Sequence, residues 1–204
     1  AMVELRVWAP NARRVELDSN DQVVKMTQGD AGWWCAHPSF MEHGTDYGFR
    51  IDGEGPFPDP RSPWQPEGVH GPSRWVDHAR FPWSDSDWQQ PPLGSAVFYE
   101  LHMGTFTPEG TFDAAVDYLD HLLELGVTHV ELMPVAEFSG ERGWGYDGVD
   151  LYAPHHVYGG PEGLKRLVNA CHQQGLAVVL DVVYNHLGPE GNYLHHFGPY
   201  FPRR

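Results

Sequence analysis

The amino-terminal segment alternates hydrophobic and polar residues over short distances. Val3, Leu5 and Val7 alternate with Glu4 and Arg6, which is the pattern of a strand with one buried face. Further short segments rich in hydrophobic residues are separated by Gly, Pro, Asn and Asp turns, and they span residues 15–17, 23–26, 33–36 and 47–51. This spacing predicts a small antiparallel, immunoglobulin-like β-sandwich over residues 1–55.

Residues 56–94 form a segment of different composition, rich in Pro, Gly, Trp and His, with no sustained period of 2 or 3.6. Its large aromatic side chains need apolar surface to cover them. These side chains are Trp64, Trp75, Phe81, Trp83 and Trp88. We therefore expect an ordered connector that packs against the domains on both sides of it.

Residues 95–204 alternate strand and helix patterns. One helix is expected to begin after the capping residue Thr111 and to end at Gly126, and another runs from Pro161 to Gly175. The strands of this segment are expected at residues 96–101, 127–132 and 176–183. Right-handed crossovers would make the sheet parallel, with helices on its outer side. The continuous aliphatic run in the last strand predicts burial on both faces.

Polar groups interrupt and follow the last predicted strand. Asp181 lies in its apolar run, and Tyr184, Asn185 and His186 come at its end. In barrels of parallel strands, chemistry takes place at the carboxyl ends of the strands. The alternative interpretation is a hydrogen-bonded core aspartate followed by a polar loop.

The loop over residues 133–160 is much longer than the roughly 2 to 6 residues that usually connect strand and helix, and long loops are usually functional. It contains Trp144, Gly145, Tyr146 and Asp147 in succession. An aromatic ring that stacks on a sugar and a carboxylate that accepts its hydroxyl groups suit sugar binding. The alternative is a turn capped by the aspartate.

Charge and cysteine content narrow the possible partners. The chain has 13 Lys and Arg against 28 Asp and Glu, a formal charge of -15, which argues against nucleic acid and anionic membranes as partners. No apolar run of membrane length is present in the sequence. Two cysteines, Cys35 and Cys171, fall in different predicted domains, so we expect them to be unpaired in a reducing, cytoplasmic compartment.

Two short motifs carry a resemblance to a known group of enzymes. Tyr146-Asp147, together with the segment from Asp181 to His186, resembles the α-amylase clan of retaining glycoside hydrolases. Within that clan, three longer stretches are similar to maltooligosyltrehalose trehalohydrolases, and they span residues 59–73, 100–112 and 185–194. The resemblance covers nearly the whole chain.

The resemblance implies a β-sandwich module followed by a (β/α)₈ TIM barrel, of which this chain would contain the first three β/α units. It also implies release of trehalose from maltooligosyl-trehalose, an α-glucan oligosaccharide, by retaining hydrolysis of the adjacent α-1,4 bond, without a metal or organic cofactor. The resemblance also implies five substrate-binding residues. Tyr146 would stack under the sugar, and Asp147 and His186 would hold its hydroxyl groups. Asp181 would brace the site, and Asn185 would line it. Supporting groups behind them would be Glu100, His102 and Trp144.

The chain departs from the clan pattern in lacking a catalytic pair. Retaining enzymes need two carboxyl groups about 5 to 5.5 Å apart, and in this clan they follow later barrel strands. We expect the nucleophile and the general acid to lie beyond Arg204, and the remaining barrel strands to come from the same protein or a second copy. Two alternatives stay open: a glycogen-branching or debranching relative, and a non-catalytic glycan-binding fragment.

Overall fold

The computed structural model describes residues 3–201, so Arg204 lies outside the described part of the chain. The first part consists of antiparallel strands. These are β1 (Leu5–Trp8), β2 (Val15–Ser19), β3 (Gln22–Lys25), β4 (Thr27–Gln28), β5 (Trp33–Ala36), β6 (Asp46–Ile51), β7 (Glu54–Phe57) and β8 (Ser73–Arg74).

Two sheets form the predicted sandwich. One has the strand order β1-β5-β4 and the other β3-β2-β6-β7, with β8 also paired to β6. The alternating pattern is confirmed, because Leu5 and Val7 are buried against Leu17 and Phe49 while Glu4 and Arg6 are exposed. Pairing continues past residue 55, where the sequence predicts the sandwich to end, since β7 and β8 both add to β6.

The connector contacts both neighbouring parts of the fold. The backbone N–H of Trp75 donates to the carbonyl of Thr45 in the sandwich, at 2.9 Å. At its other end, the Trp88 ring stacks on His172 with the ring centroids 3.9 Å apart. The expectation that apolar surface covers every aromatic side chain of the connector is wrong for Trp83, which is 46% exposed and packs edge-on against Phe81.

A parallel sheet with helices follows. Its strands and those of the loops around it are β9 (Phe98–Leu101), β10 (His129–Leu132), β11 (Ala136–Glu137), β12 (Asp150–Pro154) and β13 (Ala177–Leu180). The helices are α1 (Met103–Phe106), α2 (Phe112–Val116), α3 (Leu119–Glu124), α4 (Gly160–Gln173) and α5 (Leu194–Phe197). Strands β9, β10 and β13 are parallel in the order β13-β10-β9, which confirms the predicted strand arrangement.

The helix predicted after Thr111 is two short helices. Thr111 does cap α2, because its hydroxyl accepts the N–H of Ala114 at 3.2 Å. The backbone then tightens, since the N–H groups of Asp117 and Tyr118 bond to carbonyls three residues earlier, and α3 begins after this break. Leu119 and Leu122 of α3 are buried in the core, whereas Leu123 is exposed.

The long loop between β10 and α4 is more regular than its sequence indicates. Strands β11 and β12 form an antiparallel ribbon with an irregular register between Ala136 and Glu137. A 3₁₀ turn, His156–Tyr158, leads directly into α4. The predicted loop over residues 133–160 therefore contains a two-stranded ribbon and a 3₁₀ turn that the sequence pattern did not indicate.

The strand predicted to be buried on both faces is β13, and it is shorter and more exposed than expected. It ends at Leu180, whose side chain is 44% exposed, and Val182 just after it is 51% exposed. The physical reason is its position at the edge of the sheet, where no strand among residues 3–201 covers it. The helix that follows, α5, is a single turn whose Phe197 packs in the sandwich core.

Both cysteines carry free thiols. Cys35 is half-buried, whereas Cys171 lies on the core-facing side of α4 and is fully buried, which raises the pKa of its thiol to about 12. Within residues 3–201, none of the helices has the length and apolar character needed to span a bilayer.

Candidate active site

Two of the three parallel strands carry glutamates in equivalent positions, and an aspartate follows the end of the third. Glu131 on β10 is in register with Glu100 on β9 and with Val179 on β13, two residues before Asp181. Because side chains alternate along a strand, these positions share the face opposite the helix-packed residue Leu132. Sequence reasoning missed Glu131, although a carboxylate inside an apolar strand was a signal for it.

Tyr146 is the central side chain of the candidate site. Its hydroxyl donates to Oδ2 of Asp181 at 2.8 Å, which links the loop after β10 to the end of β13. This hydrogen bond, together with desolvation and the negative charges of Asp181, Glu100 and Glu131, raises the pKa of Tyr146. The ring is 39% exposed, so part of its surface is open to a ligand.

The loop after β13 holds the same tyrosine from the other side. Nε2 of His186 donates to the backbone carbonyl of Tyr146 at 2.6 Å, and Nδ1 of the neutral ring is an acceptor with no partner within residues 3–201. Two residues further on, the N–H of Gly188 donates to the carbonyl of Gly148 at 3.1 Å. The two motifs that are 35 to 40 residues apart in sequence are therefore one contiguous cluster.

Asp147 and Asn185 are exposed beside this cluster, and neither side chain makes a hydrogen bond to another residue of the 3–201 segment. Their polar groups are thus available to a ligand. Among the predicted substrate-binding residues, the structure brings together Tyr146, Asp181 and His186 by direct contact, with Asp147 and Asn185 as their chain neighbours.

The three predicted supporting residues line a separate open cleft of about 930 Å³. His102 is fixed in it, because Nε2 donates to the carbonyl of Gly143 at 2.8 Å and Nδ1 accepts from the Thr105 hydroxyl at 3.0 Å. Glu100 and Trp144 also line the cleft, and the Trp144 side chain is 72% exposed. An exposed indole beside a carboxylate can contact a sugar directly, which differs from the supporting role that the resemblance implies.

A buried polar cluster lies on the ribbon behind these loops, and the sequence analysis did not identify it. Oε1 of Glu137 accepts from Nδ1 of His155 at 3.0 Å and from Nδ1 of His156 at 2.8 Å, and Oε2 accepts the N–H of His156 at 2.7 Å. These three groups have the composition of a metal site. Hydrogen bonds already occupy both carboxylate oxygens, however, so the cluster braces the ribbon, while Nε2 of His155 is buried without a partner among the described residues.

Asp150 faces Glu137 across the ribbon and differs from it in having an unsatisfied oxygen. Its Oδ2 is buried without a hydrogen-bond partner among the described residues. Burial, followed by the charges of Glu137 and Asp59, raises the pKa of this carboxyl well above its ordinary value. The folded protein thus favours the neutral form of Asp150.

Comparison with known proteins identifies both parts of the chain. Residues 72–198 match the family model of the α-amylase catalytic domain, and residues 1–66 match carbohydrate-binding module 48, the isoamylase N-terminal domain. The protein named malto-oligosyltrehalose trehalohydrolase from Arthrobacter ramosus is 54% identical over 95% of this chain and 34% of its own length. The protein of the same name from Saccharolobus solfataricus is 46% identical over 99% of this chain and 36% of its own length.

A solved structure agrees with this assignment. The crystal structure titled putative alpha amylase from Salmonella typhimurium superimposes with a TM-score of 0.94 and 47% identity, over 97% of this chain and 34% of that one. The chain thus spans about a third of the length of the relatives it matches. Since the catalytic-domain model covers more than half of its residues, the chain belongs to the α-amylase family.

Proposed function

We propose that this chain is part of a retaining α-glycosidase that releases trehalose from malto-oligosyltrehalose. The observation that carries the proposal is the cluster at the strand ends, where Asp181 and His186 hold Tyr146 in place and leave the Asp147 carboxylate free. The substrate class is taken from the names of the relatives that match nearly all of this chain.

In this proposal each side chain acts on the sugar through the contacts available to it. Tyr146 stacks under the sugar whose bond breaks, and Asp181 keeps the ring in place through the hydroxyl. Asp147 and Nδ1 of His186 accept sugar hydroxyl groups, and Asn185 lines the same position. Further binding contacts are proposed in the neighbouring cleft, from Glu100, His102 and Trp144.

The proposed architecture supplies the catalytic pair from elsewhere in the protein. Strands β9, β10 and β13 would be the first three strands of a (β/α)₈ barrel, and the domains would span residues 1–55, 56–94 and 95–204, with β7 and β8 extending the sandwich sheet into the second of these segments. Exposed Leu180 and Val182 at the β13 edge support an additional strand there, from the same protein or from a second copy. The nucleophile and general acid are not assigned to Asp147 or Asp181, because both already serve to bind and position the sugar. We propose the cytoplasm as the compartment, in keeping with two free thiols.

The experiment compares Asp147→Ala and His186→Ala with the unsubstituted enzyme, in the complete protein. Activity is measured as trehalose released from malto-oligosyltrehalose, and plain maltooligosaccharide serves as the second substrate. We expect a large loss of kcat/KM in both variants, because charged or polar contacts to a substrate contribute roughly 1.5 to 3 kcal/mol each. Asp117→Ala and His121→Ala are matched controls, since both residues are exposed in the α2 and α3 segment.

Each outcome separates the candidate functions. Near-normal turnover by either variant would remove that residue from the site. Equal or preferred action on maltooligosaccharide, without trehalose release, would instead indicate a branching or debranching relative. Binding of oligosaccharide without any turnover by the complete protein would indicate a glycan-binding role.

A further inference from the structure

Three potential metal ligands lie together on the outer surface of the β-sandwich, far along the chain from the candidate active site. They are the carboxylate of Glu4, the thiol of Cys35 and the imidazole of His37. One ligand atom from each lies within 4.8 Å of the other two. Glu4 and His37 are exposed and Cys35 is half-buried, so a dissolved ion has access to all three.

The strand pairing explains why these residues meet. In the antiparallel register of β1 and β5, Leu5 faces Ala36 and Arg6 faces Cys35, and Glu4 and His37 are the residues that directly adjoin these two strand ends. Side chains alternate across a strand, so Cys35 and His37 share one face while Ala36 enters the core. An ion could therefore bind outside the core without displacing any core side chain.

We propose that Glu4, Cys35 and His37 bind one divalent cation of the zinc type, with water as the fourth ligand. Thiolate, imidazole and carboxylate are the three protein ligands that Zn²⁺ takes, at about 2.0 to 2.3 Å. Tetrahedral ligands at those distances lie about 3.5 Å apart, so the three atoms must move together by roughly 1 Å. Rotation of the exposed Glu4 and His37 side chains supplies this movement. The Cys35 thiol loses its proton to solvent when the metal–sulfur bond forms.

Arg6 is the local competitor of the ion. It faces Cys35 across the strand pair, and its Nε lies 3.6 Å from Oε1 of Glu4. The same guanidinium lies 5.1 Å from the centre of the Trp33 ring, which holds it nearby. Binding of the cation must displace Arg6 from Glu4. Replacement of Arg6 by an uncharged residue should consequently strengthen metal binding.

The experiment titrates the complete protein, freed of metal with a chelator, with Zn²⁺ and separately with Co²⁺. Cys35→Ser is the test variant, and Cys171→Ser is the matched control because that thiol is buried in the other part of the fold. We expect Cys35→Ser to bind at least about tenfold more weakly, since loss of groups that merely support a ligand already costs 10- to 100-fold. Arg6→Gln should bind more tightly than the unsubstituted protein.

The cobalt form gives a readout that is specific to sulfur ligation. A thiolate-to-cobalt charge-transfer band in the near ultraviolet is expected in the unsubstituted protein and in Cys171→Ser, and its loss is expected in Cys35→Ser. Circular dichroism checks that each variant is folded. Identical titrations and spectra for the unsubstituted protein and Cys35→Ser would overturn the proposal, as would a Zn²⁺ affinity unchanged by His37→Gln.

Discussion

Gly188 offers a direct test of how the two loops of the candidate site are held together. A Cβ atom added at this position would lie 2.1 Å from the backbone oxygen of Asp147, whereas ordinary contact begins at 3.4 Å. A Gly188→Ala substitution must therefore separate the two segments by about 1.3 Å. The contact cannot relax through a flexible side chain, because the atom it meets belongs to the backbone.

The expected effects on activity and on stability differ in size. Displacement of a binding group by about 1 Å can reduce the rate by roughly 10²-fold, and the required separation of the Asp147 and Gly188 segments is of that size. Overpacking of a tight site costs typically about 1 to 3 kcal/mol in the free energy of unfolding. We therefore expect Gly188→Ala to lose about two orders of magnitude in kcat/KM while the protein stays folded at room temperature.

The assay measures kcat/KM for trehalose release from malto-oligosyltrehalose by the complete protein, and denaturant unfolding of the same samples. Gly94→Ala is the control, because no atom lies within 4 Å of its added Cβ and its backbone does not have a positive φ. Full activity in Gly188→Ala would refute the argument. A destabilised variant with normal kcat/KM would show that the position of Asp147 does not matter for catalysis.

Three further predictions concern Tyr146, Asp150 and the two cysteines. Tyr146→Phe should reduce kcat/KM less than Tyr146→Ala, because the ring remains and only the hydrogen bond to Asp181 is lost; equal losses would contradict stacking as the main role. Burial raises the pKa of Asp150 in the folded protein. The protein therefore loses stability as the pH rises above the ordinary carboxyl pKa of about 4, because the buried group is then harder to ionise than in the unfolded chain. Unfolding measured between about pH 4 and 7 should accordingly show Asp150→Asn gaining stability relative to the unsubstituted protein as the pH rises. Alkylation of the native, metal-free protein at pH 8, followed by peptide mapping, should modify Cys35 and spare Cys171, whose thiol has a pKa of about 12.

Patterns with a clear period were sufficient to predict most of the strands and the long helix. The alternation of Leu5 and Val7 with polar neighbours gave β1, and the apolar stripe with Leu167 and Cys171 gave α4. These patterns are reliable because a buried face needs a fixed spacing of hydrophobic residues. The break between α2 and α3 was not predictable in this way, since the hydrophobic spacing continues across it.

The buried polar cluster of the ribbon was beyond sequence reasoning for a different reason. Glu137 has no exposed surface, yet a charged residue in a polar loop gives no sign of burial. Its burial depends on donors from His155 and His156, which are 18 and 19 residues away. Such a partnership is a property of the folded loop and leaves no periodic signal in the chain.

The two short motifs of the candidate site depend on each other physically. The segment with Tyr146 has no regular structure of its own, and it is held by Asp181 from the strand end, by His186 and by the contact at Gly188. A shift of either loop would therefore change the position of the proposed sugar-binding groups on both. Because these contacts join loops from neighbouring parallel strands, β10 and β13, the parallel pairing of the sheet is what brings the site together. This explains why residues 35 to 40 positions apart in sequence meet in a single cluster.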